Sequence, residues 1–173
     1  MAPNKAGIRV SDSYVSGNPD ADPTATELVI NTIVTGQWMM HRMDELLRPH
    51  GLSSGSFGLL QIVAGDPDPL TPSQIVARAP IPLTSATVTG LLDTCERRAW
   101  IQRERHPTDR RKVIIVMTPA GRDLLDTVNP LVIEAEKRWS AGTTKAARRQ
   151  LTDGLGQLGD HLRSPEAGLP FQA

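Results

Sequence analysis

Five basic residues, Arg103, Arg105, Arg110, Arg111 and Lys112, flank the turn-forming stretch His106-Pro107-Thr108-Asp109 and lead into the β-branched run Val113-Ile114-Ile115-Val116. From Arg97 to Lys112 seven basic residues stand against two acidic ones, a local balance of +5 in a chain of zero formal net charge. The positive charge is therefore local, and the whole molecule gives no electrostatic argument for a polyanion or an anionic membrane. A patch of this kind suits nucleic acid, because every phosphate it neutralises releases condensed counterions. A solvated hairpin whose charges guard an edge strand against aggregation is the competing explanation.

Other chemistries find little to work with. The four histidines, His41, His50, His106 and His161, stand apart without metal-ligand spacing, and the single Cys95 has neither a CxxC partner nor a disulfide mate. No glycine-rich phosphate loop and no G-x-S-x-G elbow occurs. The expectation is a protein that is not an enzyme, with no metal site and no cofactor. Neither a signal-peptide core nor an apolar run of membrane-helix length appears, so a cytoplasmic chain with no membrane association is expected.

The elements that must position the basic hairpin are mostly helical. Hydrophobic residues make up 39% of the chain and aromatics 3%, a composition suited to helices packed through Leu, Ile, Val, Met and Ala. Residues 25–48 lack proline, and Ile30, Ile33, Val34, Met40, Met43 and Leu47 recur at spacings of three and four, which predicts a long amphipathic helix ended by Pro49 and Gly51. Ser53 opens a second helix that Gly65 closes. Thr71, Pro72 and Gln74 form a helix start with a capping box, and Pro80 halts that helix early. Thr84 caps the next helix, whose Val88, Leu91, Leu92 and Cys95 are spaced to face a core while Ser85, Ala86, Thr89, Gly90 and Asp93 face outward.

A short helix, a tight turn and a second helix with small polar residues outside form a helix-turn-helix pattern, whose second helix enters a DNA major groove. Two antiparallel strands then follow, 101–105 and 110–117. After Thr118 and Pro119 a helix carries Leu124, Val128, Leu131, Val132, Ala135 and Trp139 along one side, with Pro130 inside it. Thr144 opens a last helix in which Leu151, Leu155, Leu158 and Leu162 make a coiled-coil-like seam.

The stretch LTSATVTGLLDTCERRAWIQRERHPTDRRKVIIVMTPAG, residues 83–121, resembles the winged helix-turn-helix signature of the MarR family of bacterial transcriptional regulators. The resemblance extends over about residues 25–163. It implies a mainly α fold with a small antiparallel β-wing: a winged helix-turn-helix plus a helical dimerisation region. The implied layout is a mobile N-terminal arm at 1–24, a dimerisation helix at 25–50, the DNA-binding lobe at 51–118, C-terminal dimerisation helices at 119–163 and a tail at 164–173.

The resemblance implies a sequence-specific, ligand-responsive repressor that binds an inverted repeat in double-stranded DNA as a homodimer. Ser85, Ala86, Thr87, Thr89 and Gly90 of the recognition helix and Arg105, Arg110, Arg111 and Lys112 of the wing are the expected DNA contacts, with Asp109 bracing the wing. Arg111 matches the wing arginine of the family, and a guanidinium suits a narrow, negative minor groove. Gly90 and Thr94 stand where many members carry arginines, and Ala99 replaces the glycine usual after the helix. Base readout then depends on hydroxyls and on methyl contacts with thymine. A small aromatic or phenolic acid is the implied effector, with Trp38, His41, Arg42 and Met43 as its candidate contacts. Cys95, on the apolar face, is expected to be an inert core thiol. The alternative is a winged-helix protein that meets a protein partner or binds DNA without sequence choice.

Overall fold

The computed structural model describes residues 7–81, 83–109 and 111–167. In order these form α1 (Asp12–Gly17), α2 (Pro23–Leu47) with a 3-10 turn at Arg48–His50, α3 (Ser54–Gly65), α4 (Pro72–Arg78), α5 (Ser85–Arg97), β1 (Ile101–Arg105), β2 (Val113–Met117), α6 (Pro119–Trp139) and α7 (Lys145–Arg163), with a last 3-10 turn at Pro165–Ala167. The architecture is mainly helical with one two-stranded antiparallel sheet, as expected. The chain forms two compact units, one up to Asn129 and one from Pro130 onward, so the division falls within α6.

In the first unit, α3, α4 and α5 pack around one core with the sheet. Leu59 and Leu60 of α3, Ile75 of α4, Val88, Leu92 and Cys95 of α5, Ile101 of β1 and Ile115 of β2 are all buried, together with Leu70 before α4. Each such aliphatic side chain contributes about 1.5–3 kcal/mol by leaving water. β2 is covered on its other edge as well, since the Ile115 N–H donates to the Leu70 carbonyl at 2.8 Å.

The caps read from the sequence are present. Ser53, Thr71, Thr84 and Thr144 each accept a backbone N–H from the first turn of their helices, and Thr71 and Gln74 complete a capping box. Two boundaries and one buried face differ. α2 begins at Pro23, because Asp22 accepts the N–H groups of Thr24 and Ala25 and so caps a helix whose first residue is a proline. β2 begins at Val113, so Arg111 and Lys112 belong to the loop between the strands. On α6 the buried line runs through Gly121, Leu125, Val128 and Val132, whereas Leu131 and Trp139 are exposed. Gly121 is required there, since a Cβ on it would lie 2.1 Å from the Trp100 carbonyl oxygen.

Where the sequence suggests only a polar arm, residues 7–22 carry a capped helical turn and bond to α2. The Asn31 amide accepts from the Ile8 N–H at 2.7 Å and donates to the Ile8 carbonyl at 2.8 Å. Glu27 accepts from the Val10 N–H at 3.1 Å and from the Arg9 guanidinium, whose hydrogen bond is the main cause of a Glu27 pKa below the ordinary carboxylate range. Composition could not disclose this, because two side chains on α2 supply the partners that the extended segment lacks.

The long helices carry their apolar residues in the open. Leu28, Val29, Ile33, Trp38, Met39 and Met40 of α2 are exposed, as are Leu151, Leu155 and Leu162 of α7. No helix of the described residues is long and apolar enough to cross a membrane.

Candidate nucleic-acid interface

The recognition-type helix α5 is fixed at both ends. At its start the Thr84 hydroxyl accepts the Thr87 N–H at 3.1 Å. At its end Ala99 N–H donates to the Glu96 carbonyl at 2.8 Å and Trp100 N–H to the Cys95 carbonyl at 3.0 Å, the paired bonds of a Schellman motif. This turn requires a left-handed residue, and Ala99 takes that role at φ 58°. The glycine usual in the family would bear it without strain, whereas alanine pays about 1–2 kcal/mol for it.

The turn launches β1, which pairs with β2 in the register Ile101↔Met117 to Arg105↔Val113. β1 is also tied back to α5. Arg103 donates to Asp93 Oδ1 at 2.6 Å and to Glu96, and its own N–H donates to Glu96 Oε1 at 3.2 Å. Helix and wing are thus joined by a three-contact fork. Sequence reading counted Arg103 within the basic patch and missed its partners; the signal was present as two carboxylates three apart on α5, but only the packing shows that they meet β1.

The other basic residues of the patch divide similarly. Arg98 lies over the Trp100 ring at 5.9 Å and Arg97 donates to the Thr94 hydroxyl. Arg105 is exposed with no ion pair among the described residues. Arg110 lies outside them. Arg111 donates from its backbone N–H and from Nε to Asp109 Oδ1, at 3.1 and 3.3 Å, yet its side chain is 91% exposed. Asp109 therefore holds the inner end of the guanidinium and leaves the outer nitrogens in solvent. Lys112 stands 3.7 Å from the other carboxylate oxygen. The Arg111 hydrogen bonds are the leading cause of an Asp109 pKa below its ordinary value.

On α5 the residues Ser85, Ala86, Thr87, Thr89 and Gly90 are exposed together. Their hydroxyls are not all at liberty. Thr89 donates to the Ser85 carbonyl at 2.8 Å, and the Thr87 hydroxyl shares a hydrogen bond with Thr84 at 2.8 Å. Thr89 therefore offers an acceptor and a methyl group outward. A side chain at Gly90 would meet open space. Between α4, α5 and the wing lies an open cleft of about 680 Å³, lined by Thr71, Ser73, Gln74, Ser85, Thr89, His106 and Lys112 among others.

The candidate effector contacts lie elsewhere on the first unit. Trp38, His41 and Arg42 are exposed on α2 and Met43 is half-buried. Arg42 donates to Glu45 at 2.9 Å and His41 Nε2 lies 3.5 Å from the same carboxylate, while the rings of Trp38 and His41 meet edge to face at 6.0 Å. Cys95 is buried, with its thiol pushed up to about 11 chiefly by desolvation, which leaves it unreactive.

A helix-turn-helix followed by a two-stranded wing defines the winged-helix class. A sequence model of the MarR family matches residues 50–112, from the end of the 3-10 turn that precedes α3 to the wing loop. The HTH-type transcriptional repressor YetL of Bacillus subtilis is 32% identical over 110 residues, which cover 63% of this chain and 65% of YetL, just under two thirds of that protein's length. The uncharacterized HTH-type transcriptional regulator YkoM of the same organism is 30% identical over 115 residues, 66% of this chain and 72% of YkoM. The structure of Sco3205, a MarR family regulator of Streptomyces coelicolor in complex with DNA, shares the fold with a TM-score of 0.75 at 21% identity, over 86% of this chain and 94% of that one. The chain belongs to the MarR family of transcriptional regulators, and these relatives are regulators, not enzymes.

Proposed function

We propose that the protein is a sequence-specific transcriptional repressor that binds an inverted repeat in double-stranded DNA as a homodimer in the cytoplasm. The observation that carries this reading is the exposed α5 face, Ser85, Ala86, Thr87, Thr89 and Gly90, set in one lobe with the wing cations Arg105, Arg111 and Lys112. α5 is the major-groove element, and Arg111, braced by Asp109, is the minor-groove element. The repressor name of YetL favours the negative sign of regulation.

The exposed leucines of α7 and the exposed apolar residues of α2 support the dimer, because such stripes are stable in water only when covered. A two-fold axis would set two α5 helices about one helical turn, roughly 10 bp, apart. Selection of duplexes from a random DNA library by the purified protein tests the reading. One enriched inverted repeat is the expected outcome; recovery of unrelated sequences would overturn it.

An aromatic or phenolic acid acting at Trp38, His41, Arg42 and Met43 is the effector we propose. It must bind the DNA-incompetent form more tightly by a few kcal/mol to release DNA. Loss of binding to the selected duplex on titration with such acids, abolished by Arg42→Ala, is the expected result.

The second reading, sequence-blind DNA binding or a protein partner, has its own observation. The stretch of α5 from Ser85 to Gly90 presents no cation, the only one on the helix being Arg97 at its last residue, and the Thr87 and Thr89 hydroxyls are bonded to the N-cap Thr84 and to the Ser85 carbonyl. Affinity that depends on salt but not on sequence would favour it.

A further inference from the structure

The geometry points to His106 as a positioning residue of the wing: its Nδ1 caps the loop at Thr108 and Asp109, and so sets the carboxylate that braces Arg111 and Lys112. This rests on the reading of the wing as a DNA contact. Nδ1 lies 3.3 Å from the Thr108 N–H, 3.3 Å from the Asp109 N–H and 3.2 Å from the Thr108 hydroxyl. The backbone of the same residue closes the loop, since His106 N–H donates to the Lys112 carbonyl at 3.0 Å and Lys112 N–H to the Asp109 carbonyl at 2.9 Å. Pro107 has no N–H, so Thr108 and Asp109 supply the first two backbone donors after His106 itself. An Asx turn uses a carbonyl oxygen of Asn or Asp to gather a backbone N–H two residues on. Here an imidazole nitrogen occupies that place.

The capped form has a protonation requirement. A backbone N–H can donate only to a ring nitrogen without a proton, so the cap needs Nδ1 bare and the ring proton, if one is present, on Nε2. Among the described residues, the charged groups beside the ring are Asp109 and Lys112 of the loop, and Arg105 precedes it in the chain. The α4 and α5 residues across the cleft, Thr71, Ser73, Gln74, Ser85 and Thr89, carry no charged side chain. Protonation of Nδ1 removes the cap, so the braced wing requires that nitrogen to be bare. A plain charge effect predicts the opposite, since a second positive charge on the wing would strengthen binding to phosphates.

The test uses the full chain, a duplex recovered by selection from random DNA, and the variants H106N and H106A. Long-range nitrogen correlation spectra at neutral pH should show the Nε2–H tautomer. Duplex affinity of the wild type should fall about fivefold once acidification protonates the ring, the effect of one lost hydrogen bond. H106N, which keeps an acceptor but does not titrate, should bind like the wild type at pH 7.5 and hold that affinity at pH 6.0. H106A should be about fivefold weaker at pH 7.5. A proton on Nδ1, wild-type affinity in H106A, or an affinity that rises on acidification in the wild type would overturn the cap. A wild-type protein that binds no duplex at either pH would sink the DNA reading and the role of the ring with it, and the tautomer would separate that failure from failure of the cap geometry.

Discussion

The lobe between Ser53 and Thr118 and the helices α2 and α7 spend the same aliphatic residues to opposite ends. In the lobe, Leu59, Leu60, Ile75, Val88, Leu92, Ile101 and Ile115 are buried against one another. On α2 only Leu47 is buried, and on α7 no residue is, although Leu151, Leu155, Leu158 and Leu162 keep a regular seam. The lobe has enough elements in three directions to close a core within one chain. A long helix with a continuous apolar stripe has no such closure and needs a second surface. The contrast separates what this chain stabilises alone from the faces it leaves open.

Several substitutions would sharpen or break that contrast. The largest expected effect is Leu92→Ala, which should cost about 2–5 kcal/mol by opening a cavity in the lobe, read from urea unfolding. A loss under about 1 kcal/mol would show that the lobe core is not self-contained. On the other side, Leu155→Arg should weaken self-association at least about tenfold while the lobe keeps its unfolding midpoint. Sedimentation at graded concentrations measures it, and an unchanged molecular weight would mean that the seam is covered by something other than a second copy.

Smaller effects separate recognition from support. Arg111→Ala should reduce the salt slope of duplex binding by about one phosphate contact and leave self-association, measured by sedimentation, unchanged. An unchanged slope would remove this arginine from the interface. Ala99→Gly relieves the left-handed alanine at the end of α5 and should raise stability by about 1 kcal/mol, with little change in DNA affinity. The mildest effect concerns the segment bonded to α2. Because the Glu27 carboxyl is depressed by its Arg9 and Val10 hydrogen bonds, its contribution is present above the ordinary carboxylate range and is lost as pH falls through the depressed value. Exchange protection of the Ile8 and Val10 amides should therefore stay level above the ordinary carboxylate range and decline below it, and Glu27→Gln should flatten that decline.

Much of the candidate interface was legible along the chain because its signals are local. Thr84 three residues before Thr87, Asp109 two before Arg111, and the capping box at Thr71 each state a bond that the backbone can make within one turn. The missed features are those in which distant residues meet. Asp93 and Glu96 take Arg103 out of the free charge because β1 folds back along α5, and Asn31 and Glu27 bind residues 8–10 across a turn. The cap at His106 is local, yet it is unreadable because histidine is not a usual turn residue and only the ring orientation reveals its acceptor.

By itself the sequence determined the helical class, the caps, the order of elements and the place of the basic hairpin, since periodicity and turn chemistry act over a few residues. Only the tertiary structure decided which cations point to solvent, which hydroxyls are already bonded, and which apolar stripes close a core and which stay bare. Those outcomes depend on distances between segments far apart in the chain, and no local spacing encodes them.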